Sequence, residues 1–426
     1  MHATLTLLRR EPRARRFFAA HGQSALGNGA GYVALVVLAH EAWASPWAIS
    51  LVLLADFLPA MLFGPLFGAA ADRWSRRTLA IVSDLMRAAA FVGVALVGGI
   101  WAIVALALLA GAGAGISTPA VLAALPSLVE EKRLPAATSL YGALTDAGRA
   151  IGPAVAALGL LLMSAEWVAA FNGITFLVSA VVLATVRFGE RPQRDEAEEP
   201  AGLLQEAREG ISATARMGGI RVLIGVSSGL LLFAAMLNVT ELLVAEDLGS
   251  GDSGYSVLVA FAGLGFIVGS LAGAGGAPVA ELKRRYLSGI GVMALGIALF
   301  GIAPVYLVAL VGLTLTGVGN GLLLTHERLI FQKVVPDRLL GRAFALADTA
   351  GCWAFAIAFA GAGALVEVLG IQAVLLGAAA ATGAIWIVAT FALRSTWAAG
   401  PVEVRYAESS RAGSELPAST ARSASV

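Results

Sequence analysis

Twelve apolar runs, each close to the length a helix needs to cross a bilayer, constrain this 426-residue chain more than any other feature. A spanning helix takes about 20 residues at 1.5 Å each. Such runs fall at 17–40, 46–71, 78–98, 101–129, 136–163 and 166–187, then at 219–245, 253–276, 286–303, 305–333, 340–369 and 371–397. Of all residues 58% are hydrophobic and 13% charged, whereas a soluble domain carries about 25% charged residues. So few charges cannot cover a water-facing surface, and the expected fold class is an all-α membrane protein with twelve transmembrane helices.

Several functions are disfavoured at once. A net charge of +1 offers no basic surface for nucleic acid. The lone Cys352 rules out an intramolecular disulfide, and with four histidines in all no metal site is expected. No G-x-x-x-x-G-K-[ST] loop is present, so no nucleotide or other cofactor is expected. The first apolar run outlasts the core of a signal peptide, about 7–15 residues, and reads as a retained helix.

Charge gives the orientation. With the N-terminus inside, basic clusters fall on one side at 9–16, 73–77, 132–133, 187–221, 283–285, 333–342 and from 394 onward. The opposite connections carry Glu41, Glu166, Glu246, Asp247 and Asp252 but no Lys or Arg. The positive-inside rule then puts both termini in the cytoplasm. The boundaries expected are a cytoplasmic N-terminus at 1–16, a six-helix bundle at 17–187, a cytoplasmic linker at 188–218, a second six-helix bundle at 219–397 and a disordered tail at 398–426. Residues 201–216 fit an amphipathic surface helix.

The two bundles read as pseudo-repeats. Gly64-Pro65-Leu66-Phe67-Gly68 recurs as Gly269-Ser270-Leu271-Ala272-Gly273, and Gly111-Ala112-Gly113-Ala114-Gly115 recurs as Gly317-Val318-Gly319-Asn320-Gly321. The offsets are 205 and 206 residues. Gly64 and Gly68, one helical turn apart, predict a flat strip for close approach of another helix.

The second span ends in Gly68-Ala69-Ala70-Ala71-Asp72-Arg73-Trp74-Ser75-Arg76-Arg77. This resembles the G-x-x-x-D-R-x-G-R-R signature of the major facilitator superfamily, with Ser75 in place of the usual glycine. Leu125-Pro126-Ser127-Leu128-Val129, Gly152-Pro153 and Val335-Pro336-Asp337-Arg338-Leu339-Leu340-Gly341-Arg342 resemble its bacterial drug-efflux branch, which includes macrolide-type and siderophore exporters. Gly148, Gly152 and Pro153 resemble a shortened antiporter motif whose trailing glycines are Ala156 and Ala157 here. The resemblance implies a gating set of Gly68, Asp72, Arg73, Arg76 and Arg77 with Asp84, in which Asp72 faces the start of span eleven near Leu340. The alternative is a plain positive-inside anchor.

Ionisable residues inside spans cost about 2.5–3.5 kcal/mol each at a helix centre, so each needs a reason. Asp56 lies sixteen residues before Asp72, about 24 Å along the helix, with no basic residue near it in sequence. It is a candidate to take a proton from outside or to bind a cationic substrate, or else a carboxyl hydrogen-bonded to a neighbouring helix. Glu241 is a second candidate and equally reads as an interfacial glutamate; Asp348 fits a gate or a cavity. Asp84 with Arg87, and Asp146 with Arg149, have the i,i+3 spacing of structural pairs on one helix face. Asp84 and Arg87 are assigned to the loop-motif network, and Arg149, beside Gly152-Pro153, to a cavity wall. His326-Glu327-Arg328 reads as a gate or snorkelling set, with a proton relay through the histidine as the alternative. His21 and Asn28 face the same choice.

These readings converge on a secondary transporter and not an enzyme, expected to carry hydrophobic or amphipathic compounds out of the cell in exchange for protons. The alternatives are a carrier of one defined solute, such as a siderophore or metabolite, and a non-transporting sensor or scaffold. The partners expected are a small-molecule substrate, protons and the lipid bilayer, with the protein a monomer. Arg, Ala and Gly usage, with lysine at only Lys132, Lys283 and Lys333, suggests a bacterial source and so the cytoplasmic membrane, multi-pass.

Overall fold

The computed structural model describes residues 7–186, 217–272, 277–394 and 396, and the described residues form helices with no strand. The expected linker and its surface helix at 201–216, like the tail from 398, lie outside them. Six long helices come first: α1 (Pro12–Ala42), α2 (Pro46–Arg73), α3 (Arg76–Val94), α4 (Ile100–Leu128), α5 (Leu134–Leu160) and α6 (Ala165–Thr185). Six more follow: α7 (Gly218–Asp247), α8 (Gly251–Leu271), α9 (Val279–Gly301), α10 (Tyr306–Val334), α11 (Asp337–Leu369) and α12 (Ile371–Ala392).

Local chemistry sets the breaks between them. Ser45 caps α2 by accepting from the Trp47 amide at 3.2 Å, with Pro46 in the first turn. Ser75, which departs from the loop signature, caps α3 by accepting from the Thr78 amide at 3.4 Å. The α11–α12 junction turns at Gly370, whose φ of +83° suits glycine.

Eight of these helices are long and apolar enough to cross a membrane by composition. The four that fall short are α1, α3, α5 and α9. Connections alternate between an acidic end, carrying Glu41, Glu166 and Asp252, and a basic end.

Backbone contact organises the packing. In lipid, burial of apolar surface gives no drive for helices to associate, and small residues that let backbones touch take over. A methyl built on Gly111 of α4 would overlap the Asp56 carbonyl of α2, and one on Gly317 of α10 would overlap the Ala262 carbonyl of α8. Both members of that contact are displaced by 206 residues. The relation extends to α3 and α9: Gly113 abuts Ser83 and Arg87, while Gly319 abuts Gly289 and Met293. At the helix ends the donors keep this spacing: Arg77 donates to the Ala184 carbonyl at the end of α6 and Lys283 to the Leu393 carbonyl just past α12, the latter at 3.0 Å, with acceptors 209 residues apart. Cations suit those carbonyl-rich termini. On the α1–α5 seam, Gly148 and Gly152 meet Ala25 and Gly29 backbone to backbone.

The strip expected at Gly64 and Gly68 is absent: a methyl on either would meet nothing within 4 Å. In the second half Gly269 packs on Val318 and Leu322 of α10, so the two halves differ at this end.

The first six helices meet the last six at the acidic end. One apolar cluster there contains Val33, Val37, Ile49 and Val52 together with Leu242, Ala245, Ala358 and Phe359. At the basic end the clusters stay apart, Phe17, Phe18, Leu125 and Leu183 on one side and Leu223, Tyr286, Phe331 and Leu393 on the other. The seams are α2 on α11, with Gly363 against Trp47, and α5 on α8, with Gly263 against Ala150.

Gly317→Val is expected to destabilise the purified protein by at least about 1–3 kcal/mol, the usual cost of overpacking. Gly68→Ala is expected to leave thermal unfolding in detergent unchanged. Equal effects from the two changes would contradict this packing.

Candidate functional site

The central polar cluster straddles the seam between the halves. Tyr32 of α1 and Tyr255 of α8 bury their hydroxyls with no hydrogen-bond partner in the structure. Glu241 of α7 is 6% exposed. The carboxylates of Glu241 and Asp56 lie within electrostatic reach of the Tyr32 hydroxyl, and Glu241 also of Tyr255. Asp56 stands ten residues into α2, about 15 Å from its start at the acidic end. The next residue, Phe57, packs on Phe355 and Phe359 of α11 with ring centroids 5.3 and 6.5 Å away. Two carboxylates, two unsatisfied hydroxyls and an aromatic face thus come from α1, α2, α7, α8 and α11. Such a cluster can hold a proton, or a cation with an apolar body.

Above it on the acidic side, His40 Nε2 of α1 meets Glu246 Oε2 of α7 at 3.1 Å. These residues are 206 positions apart, so equivalent points of the two halves touch each other.

In the first half, Asp84 (3% exposed) pairs with Arg87. Arg87 also donates to Ser117 Oγ at 3.2 Å and stacks its guanidinium 4.1 Å from the Phe176 ring centre. The i,i+3 pair forms, but it lies inside the bundle beside His21 and Ser24, and among the described residues Asp84 forms no ion pair with Arg76 or Arg77. Arg87 lies within electrostatic reach of Asp56, bringing a cation that sequence distance concealed. His21 takes up the Thr145 hydroxyl at 3.0 Å and stacks on Tyr141 at 4.4 Å, an α1–α5 contact.

Asp146 and Arg149 do not form the expected ion pair among the described residues, and Arg149 is exposed. Equal spacing gives different outcomes because Arg87 has Ser117 and Phe176 to hold it over Asp84. Of the loop motif, Arg77 reaches the α6 terminus. The side chains of Asp72, Arg73, Asp337, Arg338 and Arg342 lie outside the described residues. Beside that motif at the basic end, Arg133 bridges Glu11 at 2.9 Å, and the hydrogen bond from Lys132 holds the exposed Glu130 carboxyl below its ordinary range.

In the second half, Glu327 is buried at 7% exposure, unlike the interfacial set expected from its neighbours. Ser227 of α7 lies near its carboxyl and stands 3.0 Å from Tyr286 Oη of α9. Asp348 of α11 lies within reach of Glu327 and Arg328. Tyr32, Tyr255, Ser227 and Tyr286 carry no signal in the linear sequence, where isolated hydroxyls pass as parts of apolar runs.

Buried titratable groups on long membrane helices, in two repeated sets meeting at a polar seam, define a transporter. The Major Facilitator Superfamily profile matches residues 17–359, and the chain belongs to that family. It is 26% identical to the uncharacterized MFS-type transporter YfiS of Bacillus subtilis, over 82% of this chain and 85% of that one. It is 24% identical to macrolide efflux protein A of Streptococcus pyogenes, over 74% and 79%, and 27% identical to the enterobactin exporter EntS of Escherichia coli O1:K1, over 79% and 81%. The fold matches the nucleoside transporter NupG at a TM-score of 0.71, with 12% identity over 90% of this chain and all of that one. The likeness to the efflux branch drawn from the motifs is thereby borne out.

Arg87→Ala is expected to cost about 3–5 kcal/mol, because it leaves Asp84 buried and uncompensated. Adding Asp84→Asn should recover much of that in thermal unfolding. A double variant as unstable as the single one would contradict a buried ion pair at this site.

Proposed function

We propose that the protein exports hydrophobic or amphipathic compounds, cationic ones favoured, in exchange for protons by alternating access. The observation that carries this reading is the cluster of Asp56, Tyr32, Glu241 and Tyr255 on the seam, closed off at the acidic end while the apolar clusters at the basic end stay apart. On this reading all twelve helices span the bacterial cytoplasmic membrane, in bundles at 17–187 and 219–397 with both termini inside. The positive-inside distribution supports that orientation, and the basic end then opens to the cytoplasm.

Cargo enters between the halves and lays its apolar body on Phe57, Phe355 and Phe359, with a cationic group near Asp56 or Glu241. Rocking about the α2–α11 and α5–α8 seams breaks the acidic-end contacts. A proton from outside then takes the carboxylate and displaces the cargo. One proton charge crossing the membrane yields about 2.3 kcal/mol per 100 mV, enough to bias the exchange. Gly68, Asp72, Arg73, Arg76 and Arg77 serve the gate at the basic end; Asp348, Arg149 and, three residues before it on the same helix, Asp146 are cavity-side candidates. The protein acts as a monomer. Relatives named as exporters of bacilysin and enterobactin favour a second reading, export of one defined solute by the same route.

The test uses liposomes holding a pH-sensitive dye, an imposed pH gradient and a panel of lipophilic amines, macrolides and siderophores. Cargo-dependent proton movement that falls to background in Asp56→Asn is expected. Movement for a single solute class would select the second reading, and wild-type protein that moves no protons with any cargo would sink proton exchange altogether.

A further inference from the structure

Positions 206 residues apart point to a second proton site. On α1, α3 and α4 the first half places His21, Ala80 and Val121 around the buried Asp84–Arg87 pair. Their counterparts on α7, α9 and α10 are Ser227, Tyr286 and Glu327. The same three-helix pocket is therefore filled twice by different chemistry. In the first half a carboxylate is neutralised by its arginine. In the second, Arg87 is replaced by Met293 and Asp84 by Ile290, and the carboxylate arrives instead from α10.

Glu327 has no cation within ion-pair distance among the described residues, and its Oε1 is buried without a hydrogen-bond partner. The groups facing it are the Ser227 and Tyr286 hydroxyls from α7 and α9, Asp348 from α11, and Arg328 from its own helix. A structural carboxylate is normally paired or fully hydrogen-bonded when buried. One left with a bare oxygen beside a pair of hydroxyls has the parts of a proton-binding site: an acceptor and a short relay. Glu327 stands seven residues from the end of α10, about 10 Å from the basic end, whereas Asp56 and Glu241 lie toward the acidic end.

We propose that Glu327 binds the transported proton on the basic side of the membrane, with Ser227 and Tyr286 positioning and relaying it. This rests on the proton-exchange reading above and adds to it the site from which the proton leaves. The step is a simple transfer: the Glu327 O–H bond breaks as the proton passes to water on the basic face, and the carboxylate remains until the next proton arrives from the seam through the Ser227 hydroxyl, which stands deeper in the membrane.

The test is made on the full-length protein without cargo. Infrared difference spectra recorded across a pH titration should contain a protonated-carboxyl band that is lost in Glu327→Gln and kept in Asp56→Asn. In liposomes Glu327→Gln, which preserves size and shape, should still bind a lipophilic amine but lose pH-gradient-driven transport. Ser227→Ala should shift the midpoint of the band while leaving the protein folded. A spectrum unchanged by Glu327→Gln, with transport of wild-type rate and pH dependence, would overturn the proposal. Failure of proton exchange itself would instead appear as wild-type protein that moves no protons with any cargo.

Discussion

Helices in a bilayer gain nothing by hiding apolar side chains from one another, because the surrounding lipid is as apolar as they are. What they gain comes from close contact, and in this chain closeness is a matter of glycine against carbonyl. Gly111 on Asp56, Gly317 on Ala262, and Gly148 and Gly152 on the Ala25–Gly29 turn fix the distance and rotation of α1, α2, α4, α5, α8 and α10. The polar side chains that these six helices carry into the interior are aimed by these contacts. Asp56 is the clearest case, since its own carbonyl is the surface on which Gly111 rests, so its side chain is held at a set angle to the seam.

The repeat supplies a frame and the residues break its symmetry. Arg77 and Lys283 finish α6 and α12 in the same way, and His40 and Glu246 touch across the axis between equivalent ends. Inside the frame the halves differ. One buries a completed ion pair, which stiffens α3 against α4 and leaves little room for a change of charge. The other buries a carboxylate whose partners are hydroxyls. The same three-helix pocket therefore carries a paired charge in one half and an unpaired carboxylate in the other.

Helix positions were readable from the chain because apolar runs and breaks come from local chemistry. The run at 305–333 became Tyr306–Val334, and that at 166–187 became Ala165–Thr185. The first helix begins at Pro12, ahead of the apolar run, because proline suits a first turn and its arginines sit at the helix end. Asp56 and Glu241 stood out as charges without local company. Tyr32 and Tyr255 did not, since a tyrosine in an apolar run looks like core until its hydroxyl is seen to lack a partner. Glu327 was masked by His326 and Arg328, whose presence suggested an interface; its real neighbours, Ser227 and Tyr286, are distant in sequence. The 206-residue offset of the second glycine motif, applied to the whole chain, places Glu327 opposite Val121.

The central claim is that the halves rock about their seams and that the acidic end must part for transport. It is tested most directly by tying that end shut. Cysteines at His40 and Glu246, in a Cys352→Ser background, would be joined by a short cleavable thiol cross-linker, and cargo efflux from vesicles followed before and after cleavage. Efflux abolished by the cross-link and restored on cleavage, with cargo binding retained throughout, is the predicted result. Efflux at full rate in fully cross-linked protein would contradict the account.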